Sequence, residues 1–373
     1  MTLSRRQVLR IGVLAGGALQ LLPRRSAADR PASFHPNLFL EIAENGVVEV
    51  TVPRPEMGQG VRTALAVLVA DELGASLDRV RLRQADFDPA YGPQYVGGSN
   101  SVHGSWGPLR AAGAAAREML VQAAAKRWGV PANECDAREG TVFHSGTRRH
   151  AGFGALVREA SRLPVPKEPR LRATGAHPLL GGRHRGLDTA DIARGAIRFG
   201  IDTRLPGMLV ASIERAPGFG AKPVRVDDRA ARSAKGVSAV VQVDPDRLPE
   251  FPENSPKPAA GVAVLADRTW HAMQGRKALR IEWSAGSADD SESLRRDWNA
   301  RVLQPPHFVE RADGDFDRAF AAAGLRHEAI YEVPFLAHAT MEPMNCLANV
   351  RSDSCEVWAP TQVPRARTQS LRW

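Results

Sequence analysis

The stretch of sequence that decides the fold is VEVTVPRPEMGQGVRTALAVLVADELG, residues 48–74. Its first five residues alternate between apolar and polar, which is typical of a half-buried strand. Apolar residues then recur at helical spacing at Leu65, Val69 and Leu73, and Gly74 supplies a stop signal. A glycine-containing loop separates the two patterns, so we expect a strand, a loop and a helix in direct succession.

The sequence on either side predicts further strands and helices. Residues 38–42 also alternate, and Asn45-Gly46 favours the positive-φ turn that joins antiparallel strands, so we expect a hairpin. Residues 79–83 alternate between arginine and aliphatic side chains, which predicts another half-buried strand. A polar loop ends near Gly107-Pro108, and a long alanine-rich helix is expected from there to about Trp128.

Prolines 164, 166 and 169 mark a linker, after which two further regions are predicted. In the second region the expected strands are 208–213, 223–226, 237–243, 261–266 and 279–283, and the expected helices are 227–235 and 270–278. In the third, a helix at 316–323 precedes strands at 326–333, 347–350 and 356–358. Strands and helices without strict β-α-β alternation indicate an α+β fold. Because a domain begun about fifty residues before the last residue cannot bury a complete core, we expect the front portion of a longer sequence.

The distribution of charge argues against a nucleic-acid partner. The chain has 373 residues and a net charge of +9, and six arginines against one aspartate in the first thirty residues contribute +5 of it. The remaining chain carries only +4, without the concentrated basic surface that nucleic-acid binding requires. No run of about 20 apolar residues occurs in the body of the chain.

Residues 1–28 have the order of an export signal. Arg5 and Arg6 open a segment that resembles the twin-arginine motif, and the apolar run at 11–22 is too short for a stable membrane anchor. Ser26-Ala27-Ala28 offers small residues to a signal peptidase. The alternative, an ordinary amphipathic helix, is disfavoured by three glycines in the apolar run. We therefore expect a twin-arginine translocase partner and a periplasmic location, free or membrane-associated, which favours a cofactor-containing redox enzyme.

Two small, donor-rich loops each precede a predicted helix: Gly58-Gln59-Gly60 and Gly97-Gly98-Ser99. Glycines allow close approach of a ligand to the backbone, and unpaired amides at a helix N-terminus attract phosphate. Gln59 adds an amide that both donates and accepts hydrogen bonds. Two purely structural turns remain the alternative, because neither loop matches a P-loop or a GxGxxG fingerprint.

His338 and Glu342 are four residues apart and would share one face of a helix. They do not form an HExxH motif, so a zinc protease site is not indicated, and a hydrogen-bonded pair in a turn is the alternative. Cys135, Cys346 and Cys355 form no CxxC motif and lack metal-ligand spacing. We therefore expect no metal ligand and no iron–sulfur cluster within this chain.

Four motifs occur together in one order: EMGQGVRT at 56–63, GGS at 97–99, IDTRLPGML at 201–209 and HATMEP at 338–343. In this the sequence resembles the large molybdenum subunits of the xanthine dehydrogenase/aldehyde oxidase family. Within that family it is most similar to the exported branch typified by the beta subunit of isoquinoline 1-oxidoreductase. The resemblance covers nearly the whole chain.

The resemblance implies three domains after the signal. Residues 34–165 resemble an N-terminal α/β module of the molybdopterin-binding type, and residues 185–290 resemble the a/b hammerhead domain. Residues 320–373 resemble the beginning of the main molybdopterin-binding domain, truncated. The expected fold class is α+β throughout.

The family's chemistry is implied in the same way. The cofactor would be a molybdopterin cytosine dinucleotide, with Gly58, Gln59, Gly60, Gly98 and Ser99 as polar contacts. The implied reaction is hydroxylation of an N-heteroaromatic compound or an aldehyde with oxygen from water. A small [2Fe–2S] partner protein would receive the electrons.

The sequence departs from the family pattern in ways that affect catalysis. Leu336 stands where many members have a glutamine, and neither a GGGFGxK-type loop nor a GxGE glutamate occurs in the sequence. We therefore assign no catalytic residue, place His338 and Glu342 in the substrate funnel, and keep a loop-holding role for Glu342 as the alternative. The expected function is the N-terminal part of a molybdenum hydroxylase subunit, inactive alone. The alternative is an exported, non-catalytic cofactor-binding or assembly protein.

Overall fold

The computed structural model describes residues 33–247 and 258–364, and the predicted export signal at 1–28, with Arg5 and Arg6, lies outside them. The chain divides into two compact units. One comprises the residues up to Arg204 together with those from Thr340 onward, and the other comprises Leu205–Ala339. None of the helices described is both long enough and apolar enough to cross a membrane.

The first unit opens with a four-stranded sheet. Its strands stand in chain order: β1 (Ser33–Asn37), β2 (Leu40–Ala43), β3 (Val48–Val52) and β4 (Val80–Gln84). β2 and β3 form the predicted hairpin, with Gly46 at φ 82° in its turn. The chain returns from β3 through helix α1 (Val61–Leu73), and this crossover lets β4 pair with β3 in parallel.

Helix α1 is enclosed on nearly all sides, whereas the sequence predicted a single apolar stripe. Every residue from 65 to 73 is buried, between the sheet and helix α2 (Asn100–Trp128). Helix α3 (Phe153–Ala160) packs on α2 and completes the main core. Representative core residues from all these elements are fully inaccessible: Ile42, Val50, Leu65, Leu120 and Leu156.

Helix α2 begins at Asn100, eight residues before the proline that the sequence pattern placed at its start. The expectation was wrong because one proline removes only one backbone hydrogen bond from a helix of 29 residues. Buried side chains on both sides of Pro108, at Ser105 and Leu109, hold the helix against its neighbours. The loop ahead of it therefore ends directly at Ser99.

The rest of the first unit consists of short elements. They are β5 (Cys135–Arg138), β6 (Thr141–His144), β7 (His150–Gly152), which form an antiparallel sheet, and helix α4 (Thr189–Ala193). The segment from 170 to 187, which follows the prolines that predicted a linker, is bound across α1 and is here called the strap. Leu179 N donates to Asp71 Oδ1 at 2.8 Å, and Leu187 N donates to Thr63 Oγ1 at 3.0 Å.

A buried carboxylate holds the strap and α2 to α1. The Glu72 side chain has no exposed surface and pairs with Arg110 Nη2 at 2.7 Å and with Arg117 Nη1 at 3.1 Å. It also accepts a hydrogen bond from the strap, from Arg172 N at 2.9 Å. Burial lowers the pKa of Arg117. The sequence pattern of α1 gave no sign of this cluster, because its partners lie far along the chain.

The second unit is α+β, as expected. Its elements are β8 (Val210–Arg215), β9 (Pro223–Asp227), α5 (Arg229–Arg232), β10 (Val237–Val243), β11 (Gly261–Ala266), α6 (Thr269–Lys277), β12 (Arg280–Trp283), α7 (Ser291–Val302) and α8 (Phe316–Ala322). The antiparallel sheet β10-β11-β8 packs on α6, and β12 pairs with β9. In the first unit, β13 (Leu347–Val350) and β14 (Cys355–Trp358) form a final hairpin.

Three local expectations differ from the structure. The helix expected at 227–235 shortens to the single turn of α5, and helix α7 was not predicted although Asp290 and Ser293 form its capping box. Residues 326–333, expected as a strand, have no regular structure. Their side chains alternate suitably, but no strand lies beside them among the residues described, and an unpaired strand is not stable.

Candidate functional site

The loop before α1 is organised by Glu56. Glu56 Oε1 accepts hydrogen bonds from Gly58 N at 2.9 Å and Gly60 N at 3.0 Å, and Oε2 accepts one from Arg62 N at 3.1 Å. A carboxylate at a helix N-terminus is favourable because it satisfies unpaired amides and meets the positive end of the helix dipole. The amides that the sequence pattern offered to a phosphate are therefore occupied by a side chain of the same loop.

Gln59 lies at the exposed tip of this loop. Its Oε1 accepts from Met57 N at 2.7 Å, and its Nε2 donates to Pro55 O at 3.1 Å. One amide proton and one lone pair remain for a ligand. Gly58 and Gly60 have positive φ, 99° and 78°, and no atom stands within 4 Å of where a Cβ would be. The backbone there is open to close approach.

The loop before α2 differs because no side chain caps the helix there, although Asn100 N donates to Gly97 O at 3.3 Å. Gly98 and Ser99 both have positive φ, 58° and 56°, which is uncommon for a serine. Ser99 is the N-cap of α2, but its side chain makes no capping hydrogen bond, and the first turn of α2 holds no acidic residue. The serine hydroxyl is thus available to an outside group, whereas the Asn100 amide already has a backbone partner.

Arg54 connects the two loops. It lies between the two prolines that precede the first loop, and only 2% of its surface is exposed. Its Nη1 donates to Tyr95 O at 2.5 Å, and its Nε donates to Ser105 Oγ in α2 at 3.4 Å. Burial lowers its pKa, although the Tyr95 ring, 5.6 Å from Cζ, partly compensates the charge. The structure therefore places the approach to α1 beside the first turns of α2.

Parts of the remaining two motifs, at Ile201 and Glu342, contact each other within the first unit. Glu342 Oε1 accepts from Ile201 N at 2.8 Å and from Asn345 Nδ2 at 2.9 Å, so it fixes a loop contact between two of the sequence motifs. Val96 N donates to Gln362 O at 2.8 Å, which ties the approach to α2 to the segment after β14. These contacts join residues 141 and 266 positions apart.

His338 and Glu342 do not share a helical face, because residues 323–346 form no helix. His338 is exposed, and among the residues described it makes no hydrogen bond or ion pair. The two residues fall in different compact units. Their assignment to a substrate funnel remains a prediction.

The residues present fit an anionic, hydrogen-bonding cofactor at the α2 side of the site. Two features favour such a cofactor. Arg54 is buried and has no carboxylate within 4 Å in the described chain, and the loop at Gly98 and Ser99 is open. A phosphate is disfavoured at α1, because the Glu56 carboxylate already accepts hydrogen bonds from the amides there. The two loops are therefore not equivalent: the first suits neutral polar groups, and the second suits negative charge.

Sequence reasoning missed the two residues that shape the site. Glu56 could have been found, since an acidic residue just ahead of a helix start is a frequent capping signal. Arg54 could not, because its partners lie 41 and 51 residues away. In the described ranges, no group of three or more His, Cys, Asp or Glu side chains is arranged to hold a metal ion.

Two protein-family models match this chain, and both describe a molybdopterin cofactor-binding domain. They cover residues 25–195 and 301–371. The first includes both glycine loops, the strap and Arg54, and the second includes Glu342 and the hairpin β13-β14.

Three curated proteins are similar over most of this chain. The beta subunit of isoquinoline 1-oxidoreductase from Brevundimonas diminuta is 30% identical over 389 residues, 89% of this chain and 47% of that protein. A membrane-bound aldehyde dehydrogenase of Gluconacetobacter polyoxogenes, whose name specifies pyrroloquinoline quinone, is 29% identical over 92% of this chain and 45% of its own length. One subunit of the nicotinate dehydrogenase from Pseudomonas putida is 28% identical over 90% and 28% respectively. The chain thus spans less than half the length of these relatives.

Proposed function

We propose that this chain, which belongs to the xanthine dehydrogenase/aldehyde oxidase family of molybdopterin-binding large subunits, holds a molybdopterin cytosine dinucleotide between its two glycine loops. Gly58, Gln59 and Gly60 contact it from one loop, and Gly98 and Ser99 contact it from the other. The complete enzyme oxidises an N-heteroaromatic compound or an aldehyde. This choice of substrates follows the kinds of compound in the names of the similar proteins.

One observation carries the proposal: Arg54, just ahead of the first loop, donates hydrogen bonds to Tyr95 O, just ahead of the second loop, and to Ser105 Oγ in α2. Without it, each loop would be an ordinary helix start. Its hydrogen bonds to Tyr95 O and Ser105 fix the second loop against the first, while both loops keep unused donors and open backbone. A ligand with many polar atoms needs several such donors converging on one place.

When bound, a molybdopterin supplies an oxidising metal centre that activates water toward an electron-poor carbon. The chain's own residues hold and orient the cofactor. Gln59 donates one amide proton and accepts one hydrogen bond at the loop tip, and Glu56 keeps that loop rigid through three amides. Rigid positioning of this kind is what sites need for geometry within fractions of an ångström.

The partner and the location are part of the same proposal. With three isolated cysteines, this sequence offers no cluster ligands, and a small [2Fe–2S] partner protein would receive the electrons. Residues 1–28 would direct a folded, cofactor-loaded protein through the twin-arginine translocase to the periplasm. The domains would be those expected from the sequence, at 34–165, 185–290 and from 320, with His338 and Glu342 near the substrate path.

A second candidate is an exported cofactor-binding or assembly protein without turnover. It is favoured by the contacts of Glu342, which accepts hydrogen bonds from Ile201 N and Asn345 Nδ2 and so holds a loop. The two candidates share the cofactor and differ only in catalysis.

The test is an isotope experiment on the chain purified with its native partner proteins. Quinoline, nicotinate and benzaldehyde are incubated with the complex and an electron acceptor in ¹⁸O-labelled water. A hydroxylated quinoline or nicotinate carrying ¹⁸O supports the proposed oxidoreductase. For benzaldehyde the readout is benzoate formed only in the presence of the complex, because the aldehyde oxygen itself exchanges with water. Bound pterin without any product supports the cofactor-binding protein, and absence of both pterin and product contradicts the shared premise.

A further inference from the structure

Arg62, the second residue of α1, makes two separate contacts. Its backbone N–H donates to Glu56 Oε2 at 3.1 Å and so helps to hold the carboxylate that organises the loop before α1. Its guanidinium pairs through Nη1 with Asp188 Oδ2 at 3.2 Å. Asp188 follows the strap directly and precedes α4. A single residue therefore connects the loop before α1 to the end of the strap.

The pair between Arg62 and Asp188 is largely buried. The two side chains are 12% and 15% exposed, and no second carboxylate lies within 4 Å of the guanidinium among the residues described. In the same ranges, the buried Arg62 Nε has no hydrogen-bond partner. Removing one member of a buried pair leaves an uncompensated charge, whereas water screens an exposed pair. The place of the guanidinium therefore depends on Asp188.

The end of the strap is attached to α1 at two consecutive residues. Beside the ion pair of Arg62, Leu187 N donates to Thr63 Oγ1 at 3.0 Å. Another attachment lies at the last turn of α1, where Leu179 N donates to Asp71 Oδ1 at 2.8 Å. The strap thus runs from the last turn of α1 to its first turn. Its attachment at the first turn lies directly after the glycine loop in the chain.

The shape of the glycine loop depends on Glu56 and not on packing. No atom lies within 4 Å of where a Cβ of Gly58 or Gly60 would stand. Three amides converge on the Glu56 carboxylate, those of Gly58, Gly60 and Arg62. A shift of Arg62 moves one of these donors, and the loop tip with Gln59 moves with the carboxylate. The position of Arg62 therefore sets the geometry of the tip.

We propose that Asp188 is a positioning residue, through which the strap sets the geometry of the loop that presents Gln59 to the ligand. The identity of that ligand rests on the proposed function. Asp188 acts through the Arg62 guanidinium, and the backbone amide of Arg62 passes the restraint to Glu56. A binding group that is fixed before the ligand arrives binds more tightly, because less freedom is lost on binding.

The first experiment measures hydrogen exchange in the full chain. In Asp188→Ala we expect exchange at residues 57–62 to become about threefold to tenfold faster, as the loss of one hydrogen-bonded contact implies, with residues 98–101 unchanged. The side chain of Asp188 makes no capping hydrogen bond to α4, so alanine removes only the pair with Arg62. Asp191→Ala is the matched control: it changes the charge equally in the same helix, removes an exposed pair with Arg194, and should leave residues 57–62 unchanged.

A double-mutant cycle tests whether Asp188 acts through Arg62. In an Arg62→Gln background, Asp188→Ala should add nothing to the exchange rate at 57–62. If Asp188→Ala fails to fold, Thr63→Val replaces it, because this change detaches Leu187 without leaving a buried charge. It should also speed exchange at 57–62. Unchanged exchange there in a folded variant, or an undiminished effect of Asp188→Ala in the Arg62→Gln background, would overturn the proposal.

The second experiment measures how fast pterin leaves the chain purified with its native partner proteins. Release should be about tenfold faster in Asp188→Ala than in the wild type or Asp191→Ala, the usual scale for removing a residue that orients a binding group. A wild type that carries pterin, with equal release in a folded Asp188→Ala, retains the function and overturns the positioning role. A wild type that never carries pterin contradicts the proposed function, while the exchange rates still decide whether the strap positions the loop.

Discussion

The sheet and helices that form the core of the first unit, here called the body, contain apolar residues that are buried. The segment from 325 to 344 contains similar apolar residues, but they are exposed. In the body, residues such as Ile42, Val50 and Leu65 have no exposed surface. In the segment, Leu325, Leu336 and Met341 are 90%, 80% and 99% exposed. Apolar content alone therefore does not make a core. The body's residues sit on paired strands and packed helices, whereas the segment has no paired strand.

The largest effect should come from breaking the buried charge cluster of the body. Glu72→Ala leaves Arg110 and Arg117 without their carboxylate, and we expect a loss of about 3–5 kcal/mol in the free energy of unfolding. Urea titration of the full chain measures it. The control, Glu44→Ala, removes the half-buried partner of the exposed Arg158 and should cost far less, because solvent screens that pair. Equal costs would show that the cluster does not hold the body together.

Truncating one leucine in each region tests the contrast itself. Leu65→Ala creates a cavity in the core and should cost about 2–5 kcal/mol. Leu336→Ala removes an exposed side chain and should change stability by less than about 0.5 kcal/mol. Thermal and urea unfolding of both variants provide the comparison. A large loss from Leu336→Ala would mean that the segment is covered in solution.

Two glycines with nearly the same φ allow the cost of backbone strain to be measured apart from the cost of close packing. Gly74 and Gly207 have φ of 77° and 74°. At Gly207 nothing lies within 4 Å of an added Cβ, so alanine should cost about 1–2 kcal/mol from backbone strain alone. At Gly74 the Cβ would also collide with the Ala137 carbonyl, so the cost should reach about 2–4 kcal/mol. Equal losses would show that the Ala137 contact yields without cost.

The smallest effect concerns pH. The hydrogen bond from Arg127 lowers the pKa of Glu159, and that from Arg229 lowers the pKa of Asp227 in the second unit. A carboxyl group whose pKa is lowered by folding stabilises the folded chain at pH values above its usual pKa. This stabilisation is lost as the pH falls through the lowered pKa. Glu159→Gln should therefore destabilise by under about 1 kcal/mol at about pH 7 and by nothing measurable at about pH 2. An equal effect at both pH values would exclude the ion pair as the cause.

Local patterns predicted much of the fold. The hairpin β2-β3, helix α1 and strands β10 and β11 follow from alternation, helical spacing and turn residues within short windows. Local patterns did not predict the strap or the Glu72 cluster, because Glu72 contacts Arg110 and Arg172, which lie 38 and 100 residues away along the chain. Single-sequence periodicity shows that a position is buried, but it does not show which distant charge accompanies a buried carboxylate.

The same division holds at the site. Glycines and donors predicted both loops, since these residue types act locally. In the sequence the two loops look alike. In the structure they differ because of Glu56, whose contacts are local, and Arg54, whose contacts are distant. The electrostatic difference between α1 and α2 therefore emerged only once the chain was folded.

The most direct measurement is the molybdenum and pterin content of the full chain. The chain is expressed in a bacterium that makes the cofactor, purified with its partner proteins, and analysed by mass spectrometry for metal and released pterin. We predict about one molybdenum and one pterin per chain, with loss of both when Gly98 is changed to valine. A folded, pure complex without molybdenum and pterin would contradict the proposed function.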